Sequence, residues 1–135
     1  MRNLSYYSQQ QLINNPSLTP HNVYYTFLQN LYAILEDNLD DSLLTVQFLA
    51  TKLAVSKSTL NRRLLNLTGL SPNQLIRQYR LQKAAMLLIS GKNVSETAYL
   101  TGFETPSYFI QCFKEFYKVT PKAYSKGNNP LIQFE

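Results

Sequence analysis

In the stretch LAVSKSTLNRRL, residues 53–64, the polar side chains Ser58, Thr59, Asn61 and Arg62 are interleaved with Leu60 and Leu64, and Leu67 follows. At about 100° per residue, Leu60, Leu64 and Leu67 share one helix face. Ser58, Arg62 and Asn66 point the opposite way, with Thr59 and Asn61 on the flanks. Such a face offers short hydroxyl and amide groups that donate and accept at close range. It also offers a guanidinium that can bond guanine O6 and N7 together, which is how a helix reads base edges in a major groove. A merely solvated helix face with an incidental Arg62–Arg63 pair would use the same residues, so this stretch does not decide alone.

Catalytic and metal chemistry find less support. The single histidine, His21, and the single cysteine, Cys112, lie in unrelated contexts, so they form no nucleophile-base pair, and no glycine-rich phosphate loop is present. Neither a metal nor a cofactor is expected. Cys112 falls on the flank of an apolar helix face and reads as a buried structural thiol. With 135 residues, 44% of them hydrophobic and 13% aromatic, the chain suits one domain or two very small ones with a real core. A lone cysteine excludes an internal disulfide framework and fits a reducing, cytoplasmic setting. The longest apolar run, AAMLLI at 84–89, is far short of the ~20 residues that span a bilayer, and MRNLSYYSQQQ lacks an apolar signal core. No membrane contact is expected of this segment.

Charge is unevenly placed. Residues 1–41 set Arg2 against Glu36, Asp37, Asp40 and Asp41, whereas residues 42–126 carry a net charge of about +9 within a chain total of +5. A basic body of this kind attracts polyanions, of which nucleic acid is the commonest.

Residues 1–21 read as a linker or flexible arm, because SYYSQQQLINNPSLTPHN is rich in Ser, Asn, Gln and Pro without a sustained period. A lead-in helix follows, with Val23, Phe27, Leu31, Ile34 and Leu35 at three- and four-residue steps, ending near the acidic EDNLDD. Thr45 caps a short helix bearing Val46, Leu49, Ala50 and Leu53, and Leu44 with Leu49 matches a hydrophobic staple. Ser56 caps the next helix after a brief turn. Together these make a first helix-turn-helix subdomain over 22–70.

A second copy follows at an offset of 49 residues. Leu60, Leu64 and Leu67 return as Phe109, Phe113 and Phe116, Ser58 returns as Ser107, and GLSP (69–72) returns as KVTP (118–121). Upstream the offset is 48: Ala50 recurs as Ala98 and Ala54-Val55 as Gly102-Phe103, which implies one extra residue in the second turn. Asn93 and Glu96 form a capping box, and Thr105 followed by Pro106 opens the next helix. This is the second subdomain, 92–126, with 127–135 as a C-terminal tail. Between the copies, SPNQLIRQYRLQKAAMLLISG (71–91) reads as one connector helix in which Leu75, Ile76, Tyr79, Leu87 and Leu88 pack. Eighteen residues at 1.5 Å rise span about 27 Å, against groove spacings of ~34 Å, so the connector can act as a ruler between two readers. The fold class is all-α, with two helix-turn-helix subdomains on a long connector and about seven helices.

Residues 42–125 resemble the DNA-binding domain of AraC-type transcription regulators. LATKLAVSKSTLNRRLLNLTGLSPNQLIRQYRLQKAAMLL and VSETAYLTGFETPSYFIQCFKEFYKVTPKAY are similar to that family throughout. The lead-in LTPHNVYYTFLQNLYAILEDNLDD (18–41) resembles the junction before this domain in hybrid two-component regulators of the Bacteroides type. The resemblance implies sequence-specific binding of double-stranded DNA, transcription regulation and a place as the output segment of a signalling protein. It also names RNA polymerase, and a second copy joined through upstream regions, as partners to look for. It puts base contacts at Ser58, Thr59, Asn61 and Arg62 on the third helix and at Ser107, Tyr108, Ile110 and Gln111 on the sixth. Lys57, Arg63, Thr105 and Lys114 are assigned to phosphates. Three positions depart from the family pattern: Ala54 and Lys118 replace glycines, and Leu65 stands outward where a polar residue is usual. In the second reader, Ile110 and Gln111 stand where small polar and basic residues are common, so that helix has fewer charges for phosphates and would favour a thymine methyl through Ile110. The competing reading is a helical protein-interaction module without sequence-specific DNA affinity.

Overall fold

The computed structural model describes residues 19–127, and every regular element among them is helical. Chain order gives α1 (Thr19–Asp37), α2 (Val46–Lys52), α3 (Lys57–Thr68), α4 (Pro72–Ile89), α5 (Val94–Leu100), α6 (Pro106–Tyr117) and α7 (Pro121–Ser125). The arm assigned to 1–21 and the tail assigned to 127–135 lie almost wholly outside the described residues, although α1 takes in the arm's last residues from Thr19. No helix among the described residues is long and apolar enough to cross a membrane.

From α2 onward each helix begins at a side-chain cap. Thr45, Ser56, Ser71, Asn93, Thr105 and Thr120 accept the backbone N–H of Phe48, Thr59, Gln74, Glu96, Tyr108 and Ala123 in turn. Each such cap contributes about 1 kcal/mol by satisfying a donor that the first turn leaves unpaired. Asn93 and Glu96 make the expected capping box, and Ser71 with Gln74 makes another at the start of α4.

The repeat is visible in backbone hydrogen bonds. In the first turn Val55 N–H donates to Ala50 carbonyl at 3.0 Å and Ala54 N–H to Thr51 carbonyl at 3.1 Å. In the second, Phe103 donates to Ala98 at 2.9 Å and Gly102 to Tyr99 at 3.1 Å, the same pattern shifted by the upstream offset. The extra residue is Glu104, which separates the repeated turn from the cap at Thr105. Both third-helix ends close with a left-handed residue: Gly69 (φ 77°) donates to Leu65 and Lys118 (φ 67°) to Lys114.

Two cores are strung along α4. Its first half puts Leu75, Ile76 and Tyr79 with Phe27, Leu31 and Leu35 of α1, Leu49 and Ala50 of α2, and Leu60 and Leu64 of α3. Its second half puts Leu81, Ala84, Ala85 and Leu88 with Ala98, Phe103, Phe109, Cys112, Phe113 and Tyr124. The boundary between cores falls at Arg80. Two expectations need correction. Val23 is 51% exposed and takes no part in the first core, which α1 enters at Phe27. Phe116 is 41% exposed rather than the last rung of a buried ladder. It faces an open groove between α6 and the start of α4, with Leu70, Gln74 and Leu81 on the far side, and Cys112 takes the inward place instead.

Candidate nucleic-acid interface

The first reader, α3, buries Leu60 and Leu64 completely, which turns Ser58, Asn61, Arg62 and Asn66 out to solvent. Lys57 is exposed in the first turn and shares a shallow depression with Ser58, Asn61 and Asn73 of α4. Thr59 is only half exposed, and its hydroxyl accepts from the Ser56 cap at 3.0 Å, so it is partly spent on the helix start. Arg63 does not join the outward set. Its guanidinium lies over the Phe27 ring at 5.1 Å, where it braces α3 against α1. Leu65 is outward, at 47% exposure, as its position in the pattern implied.

The second reader, α6, buries Phe109, Cys112 and Phe113 and exposes Ser107, Ile110, Gln111 and Lys114. Gln111 Nε2 reaches toward Glu115 Oε1 at 3.5 Å, one turn on. Thr105 is exposed while its oxygen accepts from Tyr108 N–H at 3.2 Å, which leaves its own hydroxyl proton available. Tyr108 is 48% exposed and leans toward the connector. A hydrogen bond to Cys112, then that group's charge and some burial, push the Tyr108 hydroxyl up from its ordinary pKa, while Arg77 of α4 pulls the other way.

Arg77 and Asn73 are the residues the sequence reading missed. Both are exposed, they stand one turn apart on α4, and both line an open cleft of about 480 Å³ shared with Thr105 and Tyr108 of the second reader. Asn73 also borders the depression beside Lys57 and Ser58. The stripe therefore runs between the outward ends of the two readers. An i, i+4 polar pair opposite Leu75 and Tyr79 was a signal present in the sequence. Among the described residues no group of three or more His, Cys, Asp or Glu is arranged to hold a metal ion.

Two helix-turn-helix units that share a connector and present outward polar faces define a class of nucleic-acid reader, and known proteins of this class resemble the chain closely. A family model described as a helix-turn-helix domain matches residues 49–127. The C-terminal domain of the two-component response regulator yesN from Fusobacterium nucleatum is 33% identical, with a TM-score of 0.65 over 70% of this chain and 93% of that one. The DNA-binding domain of AdpA, solved in complex with a target DNA, is 29% identical, with a TM-score of 0.68 over 74% of this chain and 90% of that one. Histidine kinase P4 of Formosa agariphila is 32% identical over 125 residues, which are 92% of this chain and 9% of that protein. The chain belongs to the AraC-type helix-turn-helix family. It spans less than half the length of the curated relatives it matches.

Proposed function

We propose that this chain binds double-stranded DNA sequence-specifically, with α3 and α6 in successive major-groove segments, and regulates transcription as the cytoplasmic output segment of a two-component signalling protein. The observation that carries the reading is the doubled helix-turn-helix on one connector, each copy with its own buried ladder and its own exposed polar face. Likeness to the AdpA domain supports the DNA partner, and likeness to yesN and histidine kinase P4 supports the signalling context. RNA polymerase and a second copy of the chain belong to the same reading as further partners.

Ser58, Asn61 and Arg62 on α3, and Ser107, Ile110 and Gln111 on α6, are the principal base contacts; Thr59 and Tyr108 sit at the edges of these faces. Lys57, Thr105 and Lys114 contact phosphates, and Arg77 takes a phosphate of the backbone that passes between the readers. Two readers on one side of B-DNA necessarily leave a stretch of backbone facing the connector.

Selection of bound sites from random duplexes tests this reading. It should return two boxes about one helical turn apart, protected together in a footprint. Affinity should fall steeply with salt, by about 0.9 in log–log slope for each neutralised phosphate, and a flat response removes the reading. On the selected site Arg62→Ala should cost roughly 1–3 kcal/mol and on random DNA less. Equal losses would reassign Arg62 to the backbone.

A further inference from the structure

At the boundary between the two cores, Arg80 ties together parts of the chain that are far apart in sequence. Its Nη2 donates to the Asp41 carbonyl, in the loop between α1 and α2, at 2.6 Å. Its guanidinium also lies against Gly102, the left-handed residue (φ +85°) of the second turn. A Cβ built on Gly102 would sit 2.9 Å from Arg80 Cζ and Nε and would overlap the Leu39 carbonyl oxygen. Connector, first-half loop and second-half turn thus meet with no room for a methyl group.

The equivalent turn in the first copy shows which demand is which. Ala54 holds the same place, with φ 57°, and carries a Cβ in the open. The left-handed turn alone therefore tolerates a side chain, and what excludes one at Gly102 is the approach of Leu39 and Arg80. Arg80 Nε is buried with no hydrogen-bond partner among the described residues, a penalty that an apolar side chain would avoid. What arginine adds is a directional bond to a carbonyl, which fixes an angle as apolar packing cannot. Nearby, Lys83 Nζ pairs with Glu36 Oε1 at 2.9 Å and the Tyr79 hydroxyl donates to the same carboxylate, holding α1 on α4.

We infer that the joint of Arg80, Gly102 and the 39–41 loop locks the two readers into one orientation and so sets which spacing between DNA boxes the chain accepts, without touching DNA. The inference rests on the two-reader reading above. A stiff connector fixes distance along its axis, and the joint adds tilt and twist. Shifting one box by a base pair moves it by ~3.4 Å and ~35° around the duplex, which a rigid pair rejects and a loose pair follows. Arg80 is a positioning residue, and Gly102 is its seat.

The test has a DNA arm and a DNA-free arm. Duplexes carry the two selected boxes at the natural separation and at one and two base pairs more or less. Wild type should prefer the natural separation on the order of a hundredfold, the gain of simultaneous engagement, and Arg80→Gln should flatten this to under about tenfold with single-box affinity unchanged. Gly102→Ala should flatten it in the same way. Without DNA, spin labels at Q47C and K122C in a C112S background should give one narrow distance in wild type and a broad distribution in Arg80→Gln, whose cooperative melt is checked first. If Arg80→Gln does not fold, Arg80→Lys, which keeps the charge but loses the fixed Nη2 direction, is read in the same two arms. A folded variant with an unchanged spacing profile overturns the inference, as does a broad distance in wild type. A wild-type footprint confined to one box overturns the two-reader reading instead, and the DNA-free distance then still reports on the joint itself.

Discussion

Neighbouring arginines at 62 and 63 meet different surroundings. Arg62 is exposed on the outward face of α3, whereas Arg63 stacks on Phe27, and Arg77 is exposed in the cleft beside α6, where the proposed function assigns it a phosphate. Arg77→Gln should therefore lower the log–log salt slope of binding by about 0.9, while Arg63→Gln leaves the slope alone and lowers stability by roughly 0.5–1 kcal/mol. Fluorescence titrations at several salt concentrations, paired with urea melts, separate the two. Tyr117 supplies a pH prediction. Burial, helped by Tyr124, pushes its hydroxyl from 10.0 up to about 12. Between those values the unfolded chain has lost the phenolic proton and the folded chain keeps it, so the unfolded state binds fewer protons and stability falls as pH rises. This contribution is intact below pH 10 and is lost through the window up to about 12. Urea melts of wild type and Tyr117→Phe should run parallel up to that window and converge or cross within it; curves that stay parallel throughout would count against the burial of this hydroxyl.

At the scale of elements, caps and turns account for where helices stop and start. Ala54 (φ 57°) and Lys118 (φ 67°) occupy left-handed positions that glycine fills without strain, as Gly69 does at the end of α3. The strain on an L-residue there is about 1–2 kcal/mol, and added glycine freedom in the unfolded chain offsets about 0.4–1 of it. Ala54→Gly and Lys118→Gly should each raise stability by roughly 0.5–1 kcal/mol in thermal or urea denaturation, nearly additively because the sites share no partner. A loss of stability on either change would mean that the native side chain makes a contact worth more than the strain.

At the scale of the molecule, α4 belongs to both cores at once, with Tyr79 the last residue of one and Leu81 the first of the other. This locates the cleanest break. Two alanines inserted between Arg80 and Leu81 should advance the second half by about 3 Å and rotate it by about 200° while leaving each core intact. An insertion after Ala85 would instead cut inside the second core, parting Ala84 from Leu88. Given retained helical content and a cooperative melt, the Arg80–Leu81 insertion should reduce the footprint to one box. An undiminished two-box footprint would show that the halves bind independently, and the connector would lose its role as a ruler.

The sequence by itself determined what depends on near neighbours along the chain. The caps at Thr45, Ser56, Asn93 and Thr105, the leucine and phenylalanine periods, and the repeat with its one-residue slip are all properties of a few consecutive residues, and the backbone reproduces them. The capping box of Ser71 and Gln74 is equally local and equally legible. The tertiary structure alone decided whatever depends on which distant segment arrives beside a side chain. The angular position of Phe116 is inward by period, yet no segment of α4 fills the groove in front of it, and it stays exposed. Arg63 is outward-capable by charge, yet Phe27 comes within reach and takes it. Gly102 reads as an ordinary turn glycine until Leu39 and Arg80 close on it. Helical period constrains the direction of a side chain only relative to its own axis, so contacts between the two halves follow from how the helices cross, which no local pattern encodes.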